Sequence, residues 1–362
     1  VTGDTSTVTV SGPVDISGVR GSGIRLTGKD TKVSVGGGTI TAVEDSDKSH
    51  NFYAVRVDKG TLDINMKDGA TGDTTTKITG DMYATGQYGK KVVEYTGGEL
   101  INWNDAGILN VALTDKDSFW KGVAAYDMYN DDYGSGGNTT HDIGQFNLYL
   151  QNGATWTNEQ QGVLPSVWGG EQFKGSRVNK LAGGATAEAA GNIYQNDSNS
   201  LTIDNYSGVT NIIYAHGGDG TSYAAGDTVI KHAEAGSVVN MITSNQGVTD
   251  ISAALNALAG KLTYLNYATA NGSERNLNGY VKLAGGLTSD SVTMVTGDIR
   301  FSEETGKGSG TDNIKFADEP DNQTAKTFNS TLTGERLKDL EYVMGLSLIH
   351  ISEPTRRSGI SY

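Results

Sequence analysis

The sequence predicts an all-β chain, a right-handed parallel β-helix (solenoid) with irregular loops, and three observations carry that expectation. Glycine supplies 50 of the 362 residues and proline only 4, with Thr, Ser, Asn and Asp crowded between, a mixture that makes many tight turns. Short β-prone runs recur along the first third of the chain, with an apolar residue at every second position. Two-residue hairpin signals are sparse between those runs, which disfavours antiparallel architectures.

The runs are Thr7 to Val10, Gly23 to Leu26, Lys32 to Val35, Thr39 to Ala42, Tyr53 to Val57, Thr61 to Ile64, Lys91 to Tyr95 and Ile108 to Val111. Between them stand Gly18, Gly21, Gly23, the triplet Gly36 to Gly38, and the pairs Asp68-Gly69 and Gly97-Gly98, which permit positive φ at sharp corners. Each run has one apolar face to cover, and strands this short cover it in a sandwich, a barrel or a stack of coils. At about 20 to 25 residues per coil and about 4.8 Å per strand, 195 residues would give about nine coils and a rod of about 40 Å.

Past residue 120 the pattern loosens. The interval Tyr126 to Asn138, rich in Tyr, Asp and Gly, is expected to leave the coil as a loop, and regular structure resumes over Phe146 to Trp156. A second block starts near Ser200. It contains one short amphipathic helix near 251–261, where Ile251, Leu255 and Leu258 share a face and Thr249 or Asp250 supplies the cap. Strands return at Leu262 to Tyr264 and Val292 to Val295, while 303–330 reads as a polar loop or linker. The resulting division is 1–199, a β-helical region; 200–317, a second β-rich block; 318–345, a polar linker; and 346–362, a non-native tail.

That tail changes composition abruptly. Leu346 to Arg356 resembles, codon by codon in one frame, the translation of a transposase-based sequencing-library adapter, so it is set aside from fold reasoning.

The net charge of -14 and the dispersed Lys and Arg residues leave no footprint for a phosphate backbone, so nucleic acid is not an expected partner. With no cysteine, disulfides, thiolate metal sites and Cys nucleophiles are excluded. His50, His141, His216 and His232 stand singly, without zinc-ligand spacing, and no Gly-x-Ser-x-Gly elbow occurs. Asp127, Asp131 and Asp132 offer oxygen ligands without EF-hand spacing, and Gly217 to Thr221 is one unrepeated turn of a calcium-roll type. No cofactor or metal is expected. The candidate ligand-binding residues are Trp120, Tyr126, Tyr129 and Tyr133, because aromatic side chains give large contact area at low rotamer cost and stack well on sugars or protein ligands.

The phrases Phe146 to Trp156 and Ser200 to Gly208, with Ala257 to Gly279 and Thr296 to Phe301, resemble those of autotransporter passengers. The resemblance implies a Gram-negative surface-displayed β-helix, an N-terminal signal, and an outer-membrane β-barrel at the C-terminus. No barrel-like series of amphipathic strands occurs before Gly345, so the chain reads as a fragment of a longer protein. The expected role is non-catalytic adhesion to a host or neighbouring-cell protein or glycan. The alternatives are a structural or folding-promoting spacer and a polysaccharide-active enzyme.

Overall fold

A computed structural model describes residues 5–19, 22–43, 53–84, 107–126, 128–130, 140–142, 144–162, 175–195, 198–214, 226–234, 236–244, 261–264, 277–286, 294–303 and 314–316. These residues are all-β, and their main sheets are parallel along most of their length. The expected helix at 251–261 falls outside them up to Lys261, which occupies a turn.

The chain opens with β1 (Thr7–Val10), β2 (Val14–Val19) and β3 (Ile24–Leu26), which found sheets I, II and III respectively. The next strands, β4 (Lys32–Val35), β5 (Gly38–Val43) and β6 (Tyr53–Val57), each lie parallel beside the corresponding founder. A third set follows in the same order as β7 (Thr61–Ile64), β10 (Thr76–Thr79) and β11 (Asp81–Ala84). The small hairpin β8 (Met66–Lys67) and β9 (Ala70–Thr71) interrupts that set. The fourth is β12 (Ile108–Leu113), β13 (Phe119–Lys121) and β14 (Ala124–Tyr126).

Sheet III ends at β14, and from there the chain alternates between the other two sheets. Sheet I continues through β17 (Gln145–Leu150), β19 (Gly175–Ala182), β21 (Ser200–Ser207), β23 (Thr228–Ala233) and β25 (Leu262–Tyr264). Sheet II continues through β18 (Thr155–Asn158), β20 (Gly191–Gln195), β22 (Val209–Tyr214) and β24 (Val238–Ser244). It then turns antiparallel at β27 (Met294–Glu303), which pairs with β26 (Leu277–Gly286), with β28 (Ile314–Phe316) outermost. Strand β28 lies inside the 303–330 stretch expected to be a polar loop or linker.

Among the described residues sheet I has nine strands, spread over residues 7–264. The sequence separation between partners on neighbouring strands varies. Thr7 pairs with Lys32, a step of 25 residues, whereas Thr61 pairs with Ile108, a step of 47.

In-register parallel pairing stacks like on like, and the core is a set of columns. One runs along sheet II as Ile16, Ile40, Ile78, Trp120, Trp156, Ile193, Ile212 and Met241. From Ile40 to Met241 these side chains are at most 1% exposed. On sheet I, Val35, Ile64, Val111, Leu148, Leu181, Tyr206 and Ala233 form a second buried column. β-Branched and aromatic residues suit such half-buried pleated positions.

Corners are made by residues that tolerate positive φ. Asp68 and Gly69 (φ 50° and 81°) close the β8–β9 hairpin, and Asn152 and Gly153 (φ 54° and 80°) turn β17 into β18. Asn65, at φ 52° and 2% exposed, staples the base of the first hairpin. Its Oδ1 accepts from the Thr74 N–H at 3.1 Å and its Nδ2 donates to the Ala112 carbonyl at 3.1 Å.

Where sheet III stops, buried polar side chains occupy the interior. Ser176 Oγ accepts from the Ala124 N–H at 3.0 Å and donates to Asn158 Oδ1. Asn158 Nδ2 donates to Gln195 Oε1 at 2.6 Å, Gln195 Nε2 donates to Thr228 Oγ1 at 3.4 Å, and the Tyr214 hydroxyl lies 2.7 Å from that Oγ1. All five residues are buried, and burial pushes the Tyr214 hydroxyl well above the usual tyrosine range.

Candidate functional site

The four aromatic residues singled out in the sequence separate in the structure. Trp120 is fully buried, stacked on Trp156, and its indole N–H donates to the Gly80 carbonyl at 3.0 Å. It therefore packs the interior column and forms no part of a candidate surface. The reason is period two: Phe119 and Lys121 on either side of it face outward, so Trp120 faces in. Tyr126 ends β14. Tyr129 lies on the antiparallel hairpin of β15 (Met128–Asn130) and β16 (Thr140–Asp142), directly opposite His141. Tyr133 falls outside the described residues, as do Asp127, Asp131, Asp132 and Gly217 to Thr221. Of the interval expected to leave the coil as a loop, the described residues Met128–Asn130 instead pair antiparallel with Thr140–Asp142 in a two-stranded sheet of their own.

No group of three or more acidic or histidine side chains is placed to hold a metal ion among the described residues. His232 is half-buried on β23, opposite Asn205, while His50 and His216 fall outside the described residues.

The outer face of sheet I is polar and internally paired. Asn110 Nδ2 donates to Asp63 Oδ1 at 2.7 Å, Asn147 Nδ2 donates to Asn110 Oδ1 at 2.8 Å, and Lys32 Nζ sits 3.1 Å from Asp63. Farther along, Asp204 accepts from Arg177 at 2.6 Å, lies 2.8 Å from Lys231 Nζ, and accepts from Asn179 Nδ2 at 3.3 Å. The Asp63 row runs through Asn110, Asn147 and Lys180 to Asn205, so Asp63 and Asp204 stand four strands apart. That is ~19 Å at the inter-strand spacing, beyond the ~5 to 9.5 Å at which two carboxylates divide acid and base work on a glycosidic bond.

Sheet III carries a third polar cluster. Arg25 and Arg56, register neighbours, both reach the buried Asp58, at 2.9 Å and 2.6 Å. Arg56 also lies 5.8 Å and 5.5 Å from the ring centroids of Tyr53 and Tyr83, which stack 5.2 Å apart.

The outer face of sheet II is the most varied. One row reads Asp15, Thr39, Lys77, Phe119, Thr155, Asn192, Asn211 and Asn240, and the row two residues farther along each strand reads Ser17, Thr41, Thr79, Lys121, Thr157, Tyr194 and Ile213. Phe119 is 37% exposed, one of three large apolar side chains so exposed among the described residues. Asn211 Nδ2 donates to Asn192 Oδ1 at 2.9 Å and Asn240 Nδ2 to Asn211 Oδ1 at 2.7 Å, making an amide ladder. Lys121 Nζ is 3.2 Å from Glu159. Sequence reasoning passes over Phe119, Tyr194 and this ladder, although placing Trp120 inside would put Phe119 outside.

No family model matches the chain, and no curated protein or solved structure is significantly similar to it. No helix of the described residues is long and apolar enough to cross a membrane.

Proposed function

We propose that the chain is a length of right-handed parallel β-helix serving as a surface-displayed, non-catalytic autotransporter passenger that acts in adhesion. The observation that carries the reading is the unbroken sheet II column from Ile16 to Met241. Chain segments that return to the same sheets in the same order, in register, make a stiff stack that advances one strand per return. Excursions such as the β15–β16 hairpin then stand off the stack, where affinity can be assembled from several weak contacts. On this reading the rod is held at a Gram-negative cell surface by an outer-membrane barrel belonging to the same protein, and its ligand is a protein or glycan of a host or neighbouring cell.

The test is deletion of 127–142 with a Gly-Gly closure, read by attachment of protein-coated beads to cells and by far-ultraviolet circular dichroism. The reading expects attachment to fall with the β spectrum intact. If beads carrying the intact protein capture no cells, adhesion is excluded and the rod is a spacer.

A further inference from the structure

We infer that the outer face of sheet II around Phe119 is a binding platform for an uncharged polysaccharide. The platform deepens the adhesion reading by giving it a surface and a ligand class, and it rests on that reading for its biological setting only.

Phe119 projects from a parallel face between Lys77 and Thr155, its register neighbours, and is 37% exposed. The half-buried Tyr194 shares that face two strands away and one outward position along the strand. Stepping two strands (~4.8 Å each) and two residues (~3.3 Å each) separates the two rings by ~12 Å, room for pyranose rings stacked on each with sugar between them.

The ladder Asn192, Asn211 and Asn240 supplies the polar half. A carboxamide has two N–H donors and two acceptor lone pairs. Asn211 spends one N–H on Asn192 and one lone pair on Asn240, and Asn192 spends one N–H on the Gly153 carbonyl at 3.2 Å. Asn211 keeps a donor and an acceptor for a ligand, and Thr155 and Thr157 carry hydroxyls on the strand between the rings. These groups repeat at the strand spacing, close to the rise of one sugar in an extended polysaccharide, so successive sugars meet equivalent partners.

Charge selects among polymers. Lys121, which shares a row with Tyr194 and a strand with Phe119, is paired with Glu159 across 3.2 Å. Lys77 stands on the far side of Phe119 from Tyr194. The span between the two rings therefore carries no unbalanced charge to favour a uronate or sulfate polymer.

The experiment is retention of the intact protein on cellulose, chitin, mannan and mixed-linkage β-glucan, with alginate and heparin as anionic arms. It is repeated for Phe119→Ala, Tyr194→Ala and their double, with Tyr149→Ala on sheet I as control. Circular dichroism verifies that each variant is folded. The platform expects retention on at least one neutral polysaccharide, about tenfold weaker for either single variant, abolished in the double, unchanged in the control and insensitive to salt. It is overturned by retention on no neutral polysaccharide, by retention only on the anionic polymers, or by a folded double variant that binds normally. Bead capture of cells on the same preparations separates the two readings. Capture without polysaccharide retention leaves adhesion standing and removes the platform, while retention without capture does the reverse.

Discussion

The indole of Trp156 lies on that of Trp120 with ring centroids 4.6 Å apart and planes 9° from parallel. Each ring also donates to a carbonyl of the preceding return: Trp120 to Gly80 and Trp156 to Gly122, at 3.0 and 2.9 Å. The pair ties three consecutive strands of sheet II through both packing and hydrogen bonds. Trp156→Ala is expected to cost about 3 to 5 kcal/mol, measured by urea unfolding. The far-ultraviolet exciton signal of two stacked indoles should vanish in Trp156→Phe and Trp120→Phe alike. An unchanged spectrum in either variant would contradict the stacked geometry.

Asp204 sits between two cations, Arg177 and Lys231, and the Arg177 and Asp204 side chains are only 11% and 12% exposed. Asp204→Ala removes the carboxylate that balances a nearly buried guanidinium and should cost about 3 to 5 kcal/mol. Adding Arg177→Met should recover much of that loss, because the buried positive charge is then gone as well. A double variant less stable than the single one would mean that packing by the arginine stem dominates.

Burial raises the hydroxyl pKa of both Tyr206 and Tyr214 above the ordinary value of 10.0. The unfolded chain releases these protons near pH 10 while the folded chain keeps them. Their contribution to stability is therefore complete below that pH and lost as pH climbs above it. The loss is about 1.4 kcal/mol per pH unit for each tyrosine. Urea titrations at pH 9 and 11 should show a decline that flattens in the Tyr206→Phe/Tyr214→Phe double variant.

Two glycines of positive φ should respond differently to alanine. Gly69 has φ 81° and open space where a Cβ would go, whereas Gly38 has φ 108° and would drive a Cβ into the Val14 backbone. Gly69→Ala should cost about 1 to 2 kcal/mol. Gly38→Ala should cost distinctly more, since the β2–β5 pairing must open to admit it. Equal melting temperatures for the two variants would refute this account.

Period two alone makes early strands of all three sheets legible in the sequence. Thr7 to Val10, Lys32 to Val35 and Thr61 to Ile64 emerge as β1, β4 and β7 of sheet I, Thr39 to Ala42 falls within β5 of sheet II, and Tyr53 to Val57 emerges as β6 of sheet III. Coil length is not legible, because Asp68-Gly69 marks a corner and does not say that a whole hairpin hangs from it. Aromatic richness points Trp120 toward the surface, but the alternation of Phe119, Trp120 and Lys121 decides the matter and turns it inward. The platform is hidden for a deeper reason. Phe119, Thr155 and Tyr194 are far apart in the chain and become neighbours only through the parallel register.

The strand direction of sheets I and II lies across the line along which their strands accumulate. A load applied between the first and last strands of a sheet therefore pulls along its ladder hydrogen bonds and peels strands singly, in place of shearing a whole row at once. Tension along such a stack would be met by many small sequential yields. The chain of side chains from Ser176 through Asn158, Gln195 and Thr228 to Tyr214 crosses between the two sheets. It would act as a catch partway along, holding the apolar columns on one side while those on the other give.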